Sequence, residues 1–184
     1  TVWNEEAANK LEKQLGLLCN YLVKNPKISI PSVFIKDLSK FGSEAIDDPN
    51  FNCLGNQGGA VYDIDGKQYS CETLMPLVHG LKKSIEINNL NRLMREYATD
   101  AECRKCPALA ICPTCPSMNI KYRGTSNKSA TLTTTCKAFK VQLKMSAYLF
   151  MLKYEDYIMR GSDVPSFVLD NLEGSTRILS NLSL

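Results

Sequence analysis

The sequence predicts an α+β fold in which a small β-hairpin and cysteine-rich loops are flanked by α-helices. Three features predict it: an Asp65-Gly66 dipeptide between two β-prone runs, two long helical patterns, and four cysteines within residues 103–115. Three prolines each directly follow one of those four cysteines, so this segment cannot form a regular helix. We expect a loop instead, in which thiols can converge on one point from several directions.

Length, composition and net charge indicate which class of protein this chain belongs to. With 184 residues, 44% hydrophobic and 22% charged, the chain is typical of one globular domain, with room for a terminal extension. A net charge of +3 from scattered basic residues gives no reason to expect nucleic acid as a partner. No apolar run is long enough for a membrane span, and the first residues do not resemble a signal peptide. We expect a cytoplasmic protein, and the absence of an initial Met suggests that sequence was removed upstream.

The N-terminal segment predicts the end of a strand followed by a helix, which is half of a βα unit. Residues 1–3 suit the strand end, and Asn4 followed by Glu5 and Glu6 is typical of a helix N-terminus. Leucines recur at helical spacing to about Lys24, where Asn-Pro stops the pattern. These leucines are Leu11, Leu15, Leu18 and Leu22.

Cys19 lies inside this first helix and is expected to be a small core residue rather than a ligand. Residues 26–52 are interpreted as a linker with one apolar patch, Val33–Ile35. The Asp65-Gly66 dipeptide then predicts a β-hairpin whose two turn residues both have positive φ.

Two further helices are predicted, over residues 84–98 and from Cys136 to about Arg160. The second has apolar residues over a wide face, so we expect it to be largely buried, and Gly161 should end it. Residues 117–133 are polar and turn-rich, and residues 161–184 form a tail without a clear structural signal.

The eight cysteines favour a metal over disulfides, since paired C-x2-C knuckles occur without a secretory signal. Zinc is the simpler alternative, but zinc knuckles commonly separate their pairs by fifteen or more residues, whereas here five residues separate them. His79 is the single histidine and lies near no nucleophile motif, so a catalytic triad is not expected. The tight spacing suits a loop that supplies ligands to two neighbouring iron–sulfur clusters.

Seven of the cysteines, with one glycine, follow an ordered pattern: C-x12-G-x4-C, then C-x2-C-x5-C-x2-C, then a final cysteine. They are Cys53, Gly66, Cys71, Cys103, Cys106, Cys112, Cys115 and Cys136. This pattern resembles the SPASM domain, the C-terminal auxiliary-cluster module of radical SAM enzymes that modify peptides and proteins. The resemblance covers about residues 50–145. The family usually has three residues between the last two cysteines of the central run, where this chain has two.

The resemblance implies two auxiliary 4Fe–4S clusters, with the following ligands. One cluster would be bound by Cys103, Cys106, Cys112 and Cys136, and the other by Cys53, Cys71 and Cys115. The ligand of the fourth iron in the second cluster is left open. It could be a substrate thiolate, Asp47 or Cys19.

The resemblance also implies a domain organisation. Residues 1–49 would be the last βα unit of a partial TIM barrel with a linker, residues 50–160 the SPASM domain, and residues 161–184 a C-terminal tail. The sequence contains no C-x3-C-x2-C motif, whose cluster binds and cleaves S-adenosylmethionine in these enzymes, so the chain is not expected to be catalytic alone.

The implied function is electron transfer, substrate engagement or both, within a radical SAM maturase of ribosomally made peptides. The expected partners are the radical SAM barrel domain, in the same protein or another chain, a peptide substrate, and an electron donor such as a flavodoxin or ferredoxin. Neither nucleic acid nor a membrane is expected. The alternative is a zinc-stabilised interaction domain without a redox role.

Overall fold

The structure is a computed structural model that describes residues 4–35, 37–42, 60–88, 99–112, 115–127 and 135–182. Over these ranges the chain is mostly helical, with a two-stranded antiparallel sheet. The predicted strand end at residues 1–3, and also Asp47 and Cys53, lie outside the described residues. No helix within the described ranges has the length and apolar character needed to cross a membrane.

The described ranges contain seven helices, two strands and two 3-10 turns. The helices are α1 (Glu5–Lys24), α2 (Pro76–His79), α3 (Leu81–Ile87), α4 (Ala101–Arg104), α5 (Pro116–Arg123), α6 (Thr135–Met159) and α7 (Ser166–Asn181). The strands are β1 (Val61–Tyr62) and β2 (Gln68–Tyr69), and 3-10 turns lie at Glu72–Leu74 and Leu109–Ile111.

The chain divides into two compact units. The first combines Thr1–Ser43 with Thr133–Leu184, and the second is Glu44–Leu132. The predicted division at residues 49/50 and 160/161 follows the cysteine motifs rather than the packing of the chain, and it stays a prediction.

The first unit is built on α6, which packs against both α1 and α7. Packing on two sides explains why α6 buries residues around much of its circumference, as its wide apolar face predicts. The core shared by α1 and α6 consists of Ala8, Leu15, Cys19, Leu22, Phe34, Val141, Met145 and Leu149. Phe150 of α6 meets Phe167 of α7 edge to face, with ring centroids 6.4 Å apart.

The predicted ends of α1 and α6 are confirmed. Asn4 caps α1, and its Oδ1 accepts a hydrogen bond from Ala7 N at 2.9 Å. Helix α1 ends at Lys24, and α6 ends two residues before Gly161, whose φ of 62° is a conformation that glycine adopts without strain.

Two segments of this unit are more ordered than the sequence indicates. The predicted tail contains helix α7, whose buried face combines Val168 and Ile178 with the small and polar residues Asn171, Gly174 and Ser175. In the predicted linker, Leu38 and Phe41 are also buried. The described part of this segment therefore packs into the first unit.

The second unit contains the predicted hairpin, which is confirmed. Strands β1 and β2 pair antiparallel, with Val61 opposite Tyr69. Tyr69 is buried beside Leu74 and Ile87, so the hairpin packs on the 3-10 turn and on α3.

The loop of the hairpin differs from the prediction. Gly66 has a φ of 76°, but no described non-glycine residue has positive φ, so Asp65 does not. Asp63 O accepts a hydrogen bond from Gly66 N, and Asp63 N donates one to Lys67 O, both at 3.0 Å. The loop therefore has three residues, with glycine in the left-handed position after an ordinary turn. The Asp63 carboxylate stabilises it by accepting hydrogen bonds from Asp65 N and Lys67 N.

The remaining helices of the second unit are short. The helix predicted over residues 84–98 begins earlier, as α3 at Leu81, and residues 89–98 lie outside the described ranges. Helix α5 occupies part of the segment interpreted as turn-rich, and it starts with Pro116 in its first turn, where proline costs no hydrogen bond.

Candidate metal centre

The two compact units divide the predicted ligands between them. Five described cysteines lie in the second unit and are half-buried: Cys71, Cys103, Cys106, Cys112 and Cys115. Cys136, also half-buried, lies in the first turn of α6 in the first unit. Cys53 and Asp47 lie outside the described residues.

The cysteine-rich loop is a succession of tight turns. Asp100 caps α4, and its Oδ1 accepts a hydrogen bond from Cys103 N at 2.7 Å. Cys106 N then donates to Cys103 O at 3.1 Å, and Cys112 N to Leu109 O at 3.3 Å. The prediction that this segment is not a regular helix is confirmed, since turns closed by residues three apart replace it.

These turns do not by themselves assemble a complete centre. Across the described part of the chain, no group of three His, Cys, Asp or Glu side chains is arranged to hold a metal ion. The predicted set of Cys103, Cys106 and Cys112 is therefore not brought together, although the three lie on one short loop. The ligand assignment of these residues stays a prediction.

Cys71 and Cys115 are brought together by one hydroxyl group. Thr73 Oγ1 lies 3.0 Å from Cys71 Sγ and 3.8 Å from Cys115 Sγ. The two sulfurs are thus no farther apart than the sum of these distances, although the cysteines are 44 positions apart in the sequence. They are also two of the three residues that the family resemblance assigns to the same cluster.

Thr73 is held through its carbonyl group as well. Ser117 Oγ donates a hydrogen bond to Thr73 O at 2.7 Å, and His79 Nε2 lies 2.8 Å from Ser117 Oγ. The only hydroxyl proton of Ser117 is used on the carbonyl group, so His79 Nε2 must be the donor to Ser117 Oγ. Burial, reinforced by the positive charges of Lys121 and Lys83, lowers the pKa of His79 and favours its neutral form.

The direction of this hydrogen bond bears on whether His79 acts as a base toward Ser117. In this arrangement Nε2 is the donor, whereas a catalytic base would accept the proton of the Ser117 hydroxyl group. The pair is instead a structural contact that fixes the backbone at Thr73.

Cys19 does not belong to the site. Its side chain is fully buried in the core of the first unit, and its Sγ donates to Met145 O at 3.5 Å. Burial raises the pKa of the Cys19 thiol to about 12, which opposes the thiolate form that a metal requires. The expectation of a core residue is confirmed.

Sequence reasoning missed Thr73 and Ser117. Each follows a predicted ligand, Cys71 or Cys115, by two residues, and this spacing was the only signal that could have identified them. Their roles depend on a contact between distant parts of the chain.

Comparison of the chain with protein-family models, with curated proteins and with solved structures finds no match. The functional interpretation therefore depends on the cysteine pattern and on the geometry around Thr73.

Proposed function

We propose that this chain is the auxiliary-cluster part of a radical SAM enzyme with a SPASM domain, acting in the cytoplasm on ribosomally made peptides. In this proposal it binds two 4Fe–4S clusters and serves electron transfer, substrate engagement or both. Turnover requires a radical SAM barrel, since the motif for the S-adenosylmethionine-cleaving cluster is absent from this sequence.

The observation that carries the proposal is the order and spacing of seven cysteines and one glycine along the chain. The tight C-x2-C-x5-C-x2-C run suits ligands shared between two centres better than one tetrahedral zinc site. The contacts of Thr73 with Cys71 and Cys115 support the interleaved assignment, because a cysteine of the central run approaches the cysteine that ends the hairpin.

Cys71 and Cys115 supply the type of donor that an iron–sulfur cluster binds. Both residues are thiols, both are half-buried, and both contact the same hydroxyl group. Cys53 would complete three cysteine ligands there, and Cys103, Cys106, Cys112 and Cys136 would bind the other cluster. When bound, such clusters carry single electrons at potentials set by hydrogen bonds to sulfur and by exposure.

The residues around this pair have definable tasks. Asp63 and Gly66 shape the hairpin loop that precedes Cys71, and the Ser117 hydroxyl group anchors the turn that follows it. A peptide substrate and an electron donor of the flavodoxin or ferredoxin class are the partners that this function requires.

The test is a metal analysis of protein purified without exposure to air. Iron, sulfide and zinc per chain should be measured, with EPR spectra recorded after reduction. We expect about eight irons and about eight sulfides per chain, as two 4Fe–4S clusters require.

Zinc without sulfide in such protein would overturn the proposal. The chain would then be a zinc-stabilised interaction domain, and a chelator would unfold it. About four irons would show that the assignment of two clusters is wrong, and selective cysteine substitutions would identify which ligand set is real.

A further inference from the structure

We infer that the Thr73 hydroxyl group donates a hydrogen bond to Cys71 Sγ, a cysteine sulfur of one cluster, and thereby raises the reduction potential of that cluster. The inference rests on the proposed function, because it requires the cluster that Cys71 and Cys115 would help to bind. It assigns a role to a residue outside the cysteine pattern.

The geometry around Thr73 supplies the first argument. Its Oγ1 is 3.0 Å from Cys71 Sγ and 3.8 Å from Cys115 Sγ. The geometry of each contact allows either atom to be the donor. A ligating cysteine is a thiolate without a proton, so with the cluster bound only the Thr73 hydroxyl group can donate. Cys71 Sγ is the nearer acceptor.

The anchoring of Thr73 supplies the second argument. Ser117 Oγ donates to Thr73 O at 2.7 Å, and His79 Nε2 donates to Ser117 Oγ. The 3-10 turn that contains Thr73 is closed by a hydrogen bond from Leu74 N to Cys71 O at 3.1 Å. A β-branched side chain on a fixed backbone has few rotamers, so the hydroxyl group stays beside the sulfurs.

The effect of such a contact has a definite sign. Reduction adds negative charge to a cluster and to its cysteine sulfurs, and a hydrogen-bond donor stabilises the more negative form more strongly. Hydrogen bonds to the sulfurs are among the factors that set cluster potentials. Removing the donor should therefore make reduction harder and move the potential to a more negative value.

The experiment compares Thr73→Val with Thr73→Ser in the full chain with its clusters bound. Valine keeps the shape of threonine without the hydroxyl group, and serine keeps the hydroxyl group. Iron and sulfide are measured first, and each cluster is then titrated with a redox mediator mixture and followed by EPR. The signal that Cys115→Ala removes identifies the cluster of interest.

For Thr73→Val we expect full iron content and a more negative potential for that cluster alone. At a fixed ambient potential its reduced-to-oxidised ratio should fall up to about tenfold, which corresponds to about 59 mV for a one-electron couple. Thr73→Ser should stay close to the wild type. The potential of the other cluster should not change in either variant.

Each other outcome has a distinct meaning. An unchanged potential in Thr73→Val, or an equal shift in Thr73→Ser, overturns the inference while the proposed function stands. A wild-type protein without iron and sulfide overturns the proposed function itself. If Thr73→Val loses the cluster, Thr73→Ala is titrated in its place, since it adds no methyl group beside the sulfurs. Loss in both variants, with retention in Thr73→Ser, would show that the hydroxyl group holds the ligands rather than tunes the potential.

Discussion

Gly174 of helix α7 packs directly against the backbone of Leu38. A Cβ atom added to residue 174 would lie 2.6 Å from the carbonyl carbon of Leu38 and closer still to its oxygen. The absence of a side chain at this position is therefore what lets the segment after α1 lie against α7. Backbone atoms cannot move aside as a flexible side chain can, so this contact is a sensitive point in the first unit.

Gly174→Ala should lower the free energy of unfolding by about 1–3 kcal/mol, as overpacking of a well-packed core does. Gly16→Ala is the matched control, since Gly16 is also within a helix but the nearest atom to its added Cβ is Met145 Cε at 3.7 Å. That control should be neutral or stabilising by about 0.5–1 kcal/mol, because alanine favours helix over glycine. Urea denaturation followed by far-UV circular dichroism measures both, and equal effects of the two substitutions would contradict the packing argument.

Asn171 joins α7 to the same segment by hydrogen bonds. Its Oδ1 accepts from Leu38 N at 2.6 Å, and its Nδ2 donates to Phe167 O at 2.7 Å, with the side chain buried. Asn171→Ala should destabilise the protein by about 1–3 kcal/mol, because the buried Leu38 N–H loses its acceptor. Asn181→Ala removes a similar contact, from Asn181 Nδ2 to Arg177 O, at an exposed position and should cost less than about 0.5 kcal/mol. A cost at residue 181 as large as that at residue 171 would show that burial is not the cause.

Cys19 should make stability depend on alkaline pH. Its pKa is raised from 9.0 to about 12 by burial, so the folded protein holds the proton more tightly than the unfolded chain. Below pH 9 the thiol is neutral in both states and contributes no pH dependence. Between about pH 9 and 12 the unfolded chain alone loses the proton, which favours unfolding by up to about 1.4 kcal/mol per pH unit.

The measurement is the difference in unfolding free energy between the wild type and Cys19→Ala from pH 8 to 11. Because lysines and tyrosines titrate identically in both proteins, this difference isolates the thiol. Below pH 9 the wild type should have the larger free energy of unfolding. Above pH 9 its advantage over Cys19→Ala should decrease as the pH rises. Iron content should be unchanged in Cys19→Ala; a loss of about half the iron would identify Cys19 as a ligand after all.

Because each cysteine is assigned to one cluster, replacing a single cysteine should remove one cluster and leave the other. Cys115→Ala should remove or alter the cluster assigned to Cys53 and Cys71 and leave the cluster of Cys103 largely intact. The reciprocal substitution, Cys103→Ala, should do the opposite. Iron content would fall in both variants, so the two EPR signals, rather than the metal count, distinguish them. Loss of only the Cys103 cluster in Cys115→Ala would disprove the assignment.

Local signals identified much of this molecule without a structure. Asn4 marks the start of α1 because its side chain suits an unpaired N–H group of the first turn, and Gly161 marks the end of α6. The β-branched and aromatic runs on either side of Asp65-Gly66 identified the hairpin. The same dipeptide gave the wrong loop length. The Asp63 carboxylate accepts hydrogen bonds from Asp65 N and Lys67 N, which stabilise a three-residue loop rather than the two-residue turn that was predicted.

Helix α7 shows why other elements escaped prediction. Its buried face combines apolar residues with Asn171, Gly174 and Ser175. Asn171 accepts a hydrogen bond from Leu38 N, Gly174 lies against the Leu38 backbone, and Ser175 Oγ donates to Asn171 O. Apolar spacing can indicate a helix here, but it cannot show that its small and polar residues face the segment at Leu38, because that depends on a residue more than 100 positions away.

For the candidate site, the sequence by itself determined the order and spacing of the thiols and the turns between them, because both are properties of neighbouring residues. The tertiary structure alone decided that Thr73 contacts Cys115 as well as its neighbour Cys71, and that Ser117 and His79 anchor it. These are contacts between residues far apart in the chain, and only the packing of whole elements brings such residues within hydrogen-bond distance.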